Sequence, residues 1–73
     1  MDITVFTLPV CPNCDELKED LKAHDLWFDI EDLEDEDVRM NLLLESVTLV
    51  EAPIVRIDGK YMSGKEARLA LGI

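Results

Sequence analysis

The chain has 73 residues, enough for one domain spanning 1–73 and no more. Seven basic residues stand against seventeen acidic ones, and the net charge of −10 argues against nucleic acid or an anionic membrane as partner, since both call for positive charge. Hydrophobic residues make up 48% and recur along the whole length, so a single compact core is feasible without disulfide staples and disorder is a poor reading.

The start, Met1-Asp2-Ile3-Thr4-Val5-Phe6-Thr7, lacks a basic segment followed by a long apolar run. No apolar stretch approaches the ~20 residues of a membrane span. A cytoplasmic location is the expectation. In that compartment two cysteines spaced three apart point to catalysis or metal binding rather than to a structural staple.

Asp2 to Thr7 reads as a strand, with Ile3 and Val5 on one face and Thr4 and Phe6 on the other. Leu8-Pro9-Val10 is a loop. Pro12 suits the first position of a helix, where its missing N–H would be unpaired anyway. That helix is expected from Pro12 to about Ala23, with Cys14, Leu17 and Leu21 on its inward face. The next strand is expected near Trp27 to Ile30, with Phe28 and Ile30 on one side and the aromatics serving core and edge packing. Strand, helix and strand in about thirty residues make a βαβ unit with parallel strands.

Asp35, Glu36 and Asp37 are placed to open a second helix, since acids are favoured at a helix N-terminus, and it should reach about Ser46. Met40, Leu43, Leu44 and Val47 form its expected buried stripe. A calcium loop in the acidic stretch from Asp29 to Asp37 is disfavoured, because the central Gly and terminal Glu of an EF-hand are missing. Ile54 to Ile57 is a strand, Asp58-Gly59 a favoured two-residue turn, and Lys60-Tyr61-Met62 the antiparallel return. Ser63 and Glu66 match a capping box. The short helix they open carries Ala67, Leu69, Ala70 and Leu71 and stops at Gly72.

The chemically loaded motif is Cys11-Pro12-Asn13-Cys14, set between the first strand and first helix of the βαβ unit, the context expected of a redox pair. Free backbone N–H groups and the helix dipole favour an anion there, so the Cys11 thiolate is stabilised and reactive at neutral pH. Asp15 and Glu16 work against it, screened by exposure and salt. Cys14, one turn inward, is the resolving thiol: it attacks Cys11 after Cys11 has attacked a substrate disulfide. A zinc site is a weak reading, since His24 is the one histidine and no second cysteine pair completes four ligands. His24 falls near the end of the first helix, where terminal carbonyls await a partner.

At this point the sequence resembles the dithiol glutaredoxins. Cys11-Pro12-Asn13-Cys14 after a first strand, then Ala52-Pro53-Ile54-Val55, Asp58-Gly59-Lys60 and Ser63-Gly64, follow that family in order and spacing over nearly the whole chain. The resemblance implies an α/β thioredoxin fold, a four-stranded mixed sheet with three helices, and a cis-proline at Pro53 facing the cysteines. It implies Cys11 and Cys14 as the reactive pair, and Pro12, Asn13, Ala52, Pro53, Ser63 and Gly64 as the substrate-contacting residues. The match is nearest to NrdH-type redoxins, which are similar to glutaredoxins in sequence and behave like thioredoxins. Those too carry Ser-Gly where glutathione users carry Gly-Gly, although Lys65-Glu66-Ala67 here replaces their Phe-Arg-Pro segment.

The function implied is reduction of protein disulfides, ribonucleotide reductase being one candidate client, by a monomer with no metal and no cofactor beyond its own Cys11/Cys14 disulfide. Recharging is expected from a flavin disulfide reductase, because Leu8-Pro9-Val10 and Leu49-Val50-Glu51 lack the basic residues that glutathione users place there. Leu49 and Val50 form a candidate docking patch for a protein partner. The alternatives are a glutathione-dependent glutaredoxin and a non-catalytic iron–sulfur or metal carrier using Cys11.

Overall fold

The computed structural model describes residues 1–47 and 51–73. Strand β1 (Ile3–Thr7) leads into helix α1 (Pro12–Ala23), strand β2 (Asp29–Asp32) and helix α2 (Glu36–Leu44), followed by strands β3 (Ile54–Ile57) and β4 (Lys60–Ser63) and helix α3 (Gly64–Leu71). The sheet order is β2-β1-β3-β4. β1 pairs parallel with β2 and antiparallel with β3, which pairs antiparallel with β4. This is the four-stranded mixed sheet with three helices that the sequence leads us to expect.

The five residues of β1 are all buried, as befits a central strand with both faces covered. On one face Ile3 and Val5 meet Leu17 and Leu21 of α1, Val55 and Ile57 of β3, Met62 of β4 and Ala67 of α3. On the other face Phe6 and Ile54 meet Leu42 of α2. Leu33, Val38, Val47 and Tyr61 pack against that second cluster, and the Arg56 guanidinium lies beside it. The guanidinium lies 5.7 Å from the Phe6 ring centre and 5.8 Å from that of Tyr61, and donates to Thr4 Oγ1 at 3.1 Å.

Local signals close the C-terminal third as expected. Asp58 and Gly59 both take positive φ, at 49° and 86°, the geometry of a hairpin turn that matches strand twist. The Ser63 hydroxyl accepts from the Glu66 N–H at 3.1 Å while the Glu66 carboxylate accepts from the Ser63 N–H at 3.4 Å, completing the capping box. Gly72 ends α3 in the left-handed conformation.

Three expectations are corrected. β2 starts at Asp29 rather than Trp27, because the parallel ladder pairs Thr4 to Thr7 with Asp29 to Asp32. Trp27 therefore stands outside the sheet at 73% exposed, while Leu26 and Phe28 pack against the core. An edge strand of Asp-Ile-Glu-Asp also blocks edge-to-edge pairing with another chain, a use for acids that β-propensity does not register. In α2 the buried residue is Leu42, with Val38 and Val47 partly covered, whereas Met40, Leu43 and Leu44 are exposed. On a 3.6-residue helix 38 and 42 share one side and 40, 43 and 44 the opposite one. The contact with Phe6 and Ile54 selects the smaller stripe.

Candidate active site

β1 delivers the chain to Cys11 and α1 carries it away. The Cys11 side chain caps α1: its Sγ accepts from the Cys14 N–H at 3.1 Å, and its carbonyl accepts the first helical bond from the Asp15 N–H at 3.0 Å. Pro12 follows at the first helical position, where it forfeits no hydrogen bond. Cys11 and Cys14 form a disulfide across one helical turn, their Cα atoms 5.2 Å apart. Cys11 keeps 9% of its surface and Cys14 none, since Cys14 shares the inward face with Leu17 and Leu21. The pair is thus asymmetric: Cys11 keeps a sliver of exposure with its sulfur on the Cys14 N–H, and Cys14 is sealed beneath it.

Of the two acids that follow, Asp15 pairs with Lys18 at 3.3 Å, so its charge beside Cys11 is partly matched. Asp15 is exposed and Lys18 half-buried, and water screens the pair from the Asp15 side. His24 lies at the far end of α1, where its Nδ1 donates to the Asp20 carbonyl at 2.9 Å, as expected of a helix-end histidine. Among the described residues no group of three or more His, Cys, Asp or Glu is placed to hold a metal ion.

Beside the disulfide runs a cleft of about 560 Å³ between the start of α1, the segment leading into β3 and the start of α3. It brings together Asn13, Ala52, Pro53, Ser63 and Gly64, five of the six residues expected at a substrate site. Pro12, the sixth, is exposed beside Asn13 at the start of α1. The Ala52–Pro53 peptide bond is cis and Pro53 is buried. Gly64 closes the cleft tightly, because a Cβ at this position would come to 3.0 Å from Pro53 Cγ. Leu49 and Val50, the candidate docking pair, lie outside the described residues.

Charged residues complete the lining. Glu16, Glu51, Lys65 and Arg68 all line the cleft, and Arg68 is already bound to Asp20 of α1. Arg68 is the lining residue that sequence reasoning misses. Its spacing of three from Lys65 on a capped helix is the signal that could have found it, since such residues are neighbours on the helix surface.

A profile of the glutaredoxin family matches residues 3–62. Among solved structures, the thioredoxin-like protein BC3987 is 30% identical, covering 96% of this chain and 96% of its own with a TM-score of 0.76. A mutant of the same protein is 29% identical over 94% of this chain and 97% of that one, with a TM-score of 0.75. The glutaredoxin-like NrdH-redoxin from Escherichia coli, described for its thioredoxin-like activity profile, is 20% identical over 88% of this chain and 83% of that one, with a TM-score of 0.73, a likeness of fold. No curated protein sequence matches the chain. With its Cys11–Cys14 pair at the mouth of α1, the family match over most of its length and these shared folds, the chain belongs to the glutaredoxin family, as a glutaredoxin-like redoxin of the thioredoxin superfamily with a thiol–disulfide redox role.

Proposed function

We propose that this chain is a cytoplasmic dithiol carrier that reduces protein disulfides through Cys11 and Cys14, and that a flavin disulfide reductase of the thioredoxin-reductase type recharges it. The observation that carries the reading is the asymmetry of the pair, with Cys11 Sγ on the helix N-cap and Cys14 fully covered. In the reduced protein the Cys14 N–H and the dipole of α1 favour a thiolate at Cys11, the species that attacks.

Cys11 Sγ attacks one sulfur of the substrate disulfide, forming a mixed disulfide and expelling the other sulfur as a thiolate that takes up a proton. Cys14 then loses its proton and attacks Cys11 Sγ, restoring the Cys11–Cys14 bond and releasing the second substrate thiol. Two electrons leave the carrier and reduce one substrate disulfide to two thiols. Recharging runs the same exchange backwards, with two electrons supplied from the reductase's flavin through its own dithiol. Ala52, Pro53, Ser63, Gly64, Asn13 and Pro12 form the rim over which a substrate chain crosses to Cys11. Ribonucleotide reductase is a candidate client, and the carrier works as a monomer with its own disulfide as redox group.

Glutathione is a poor fit for the cleft. The three residues before Cys11 are Leu8, Pro9 and Val10, which offer no cation to a glutathione carboxylate. Arg68 is engaged by Asp20, and Glu16 and Glu51 repel an anion. A missing charge-assisted hydrogen bond weakens binding by roughly 1.5–3 kcal/mol, about tenfold or more per contact. Lys65 and the N-terminus of α3 favour the second reading, a glutathione-dependent glutaredoxin. Steady-state turnover with each electron source in turn, at matched ionic strength, separates the two.

A further inference from the structure

α2 carries an apolar stripe that the fold does not use. Met40, Leu43 and Leu44 are 57%, 71% and 76% exposed, opposite the side on which Leu42 packs. At Leu43 the stripe runs into a groove of about 510 Å³ floored by Leu8, Leu33, Leu42, Val47 and Ile54. This groove and the cleft beside the disulfide share Glu51 and Ala52 as a common wall. A chain seated in the groove therefore reaches the edge of the active site, where Leu8 of the groove stands three residues before Cys11.

The surroundings of the groove are acidic. Glu34 and Glu51 line it, and Asp35, Glu36, Asp37 and Glu45 are exposed on or beside α2. Arg39 is the one basic residue among its described lining. A second copy of this chain is a poor occupant, because an isologous contact would set the acids of one copy against the same acids of the other. The field suits instead an apolar centre framed by positive charge.

We propose that this groove and the α2 stripe dock a cationic segment of a partner protein, an apolar side chain flanked by Lys or Arg, and so select which protein disulfides approach Cys11. The proposal rests on the dithiol-carrier reading and adds the chemistry of the partner. Apolar contacts supply the binding, and the acids supply orientation and a faster encounter.

The test uses two fluorescent, cysteine-free peptides with the same leucines, one carrying lysines and the other glutamates, binding to the oxidised full chain. The lysine peptide is expected to bind at least tenfold more tightly, with the difference shrinking as salt rises from about 50 to 500 mM. The triple variant Met40→Gln, Leu43→Gln, Leu44→Gln is expected to keep its melting temperature within a few degrees and to lose roughly tenfold in affinity for the lysine peptide. Glu34→Lys with Glu51→Lys should erase the preference without touching the apolar contacts. Equal binding of both peptides, unchanged affinity in the triple variant, or a wild-type dimer that the triple variant dissolves would overturn the proposal. Turnover of a small disulfide by the same preparation reports separately on the carrier reading: turnover without charge-selective binding sinks the docking surface alone, and selective binding without turnover sinks the carrier alone.

Discussion

At Cys11 the sulfur proposed to react is also the cap of α1, so folding the helix and preparing the thiolate draw on the same N–H donor. An ordinary thiol titrates near ~8.5, and helix N-termini lower that value. In the reduced protein the rate of Cys11 alkylation is expected to rise with pH around a midpoint below ~8.5. Cys11 should react before the covered Cys14. A midpoint at or above that of a free thiol, or faster labelling of Cys14, would contradict the assignment of roles. Cys14→Ser should leave mixed disulfides trapped at Cys11, and Cys11→Ser should abolish turnover, both readable by intact mass after reaction with a protein disulfide. Gly64 offers a second test at this scale. A Cβ added there would stand 3.0 Å from the Pro53 ring, which is buried and has little room to yield. Gly64→Ala should destabilise the fold by about 1–3 kcal/mol, by forcing apart Gly64 and Pro53, which both line the cleft. A thermal melt equal to that of the wild type would show that the two segments separate freely.

Among the elements, α2 separates what a sequence can tell from what packing decides. Its start is legible, because Asp35 caps it through bonds to the Asp37 and Val38 N–H groups at 2.8 and 3.3 Å. Its phase is not. Leucine fills 42, 43 and 44 in succession, two stripes are available, and only Phe6 and Ile54, distant in sequence, determine which one turns inward. α1 is legible throughout, since a Cys-Pro start, one apolar stripe and acids and lysines on the remaining face allow a single phase. The hairpin and α3 are equally clear, their Asp-Gly turn, capping box and terminal Gly each carrying local instructions. β2 begins two residues later than its aromatics suggest, because the ladder with β1 overrides the strand propensity of Trp27 and Phe28. At the site, the motif residues are legible, whereas the Arg68–Asp20 tie joins residues 48 positions apart and leaves no local trace. The assignment of phase is measurable. Leu42→Ala should cost about 2–5 kcal/mol, and Leu44→Ala should stay within about 0.5 kcal/mol of the wild type. Comparable losses in urea unfolding at both positions would reverse the orientation of the helix.

For the molecule as a whole, the sheet places the reactive pair at one end of β1, with the cleft on one side and the acidic, apolar-floored groove on the other. Among the described residues no helix is long and apolar enough to cross a membrane. The net charge of −10 bears on small anions and on protein partners in opposite ways. It weakly repels an anionic tripeptide and favours basic protein surfaces, and salt screens both effects. The proposed function requires that the carrier serve protein disulfides and be recharged by protein rather than by glutathione. It is tested most directly by steady-state turnover of one protein disulfide with two electron sources at equal ionic strength: glutathione with its reductase, and a thioredoxin reductase with NADPH. Saturable turnover with the thioredoxin reductase, and at least tenfold lower kcat/KM with glutathione, is the expected result. Efficient saturable turnover at physiological glutathione, with little use of the thioredoxin reductase, would contradict it.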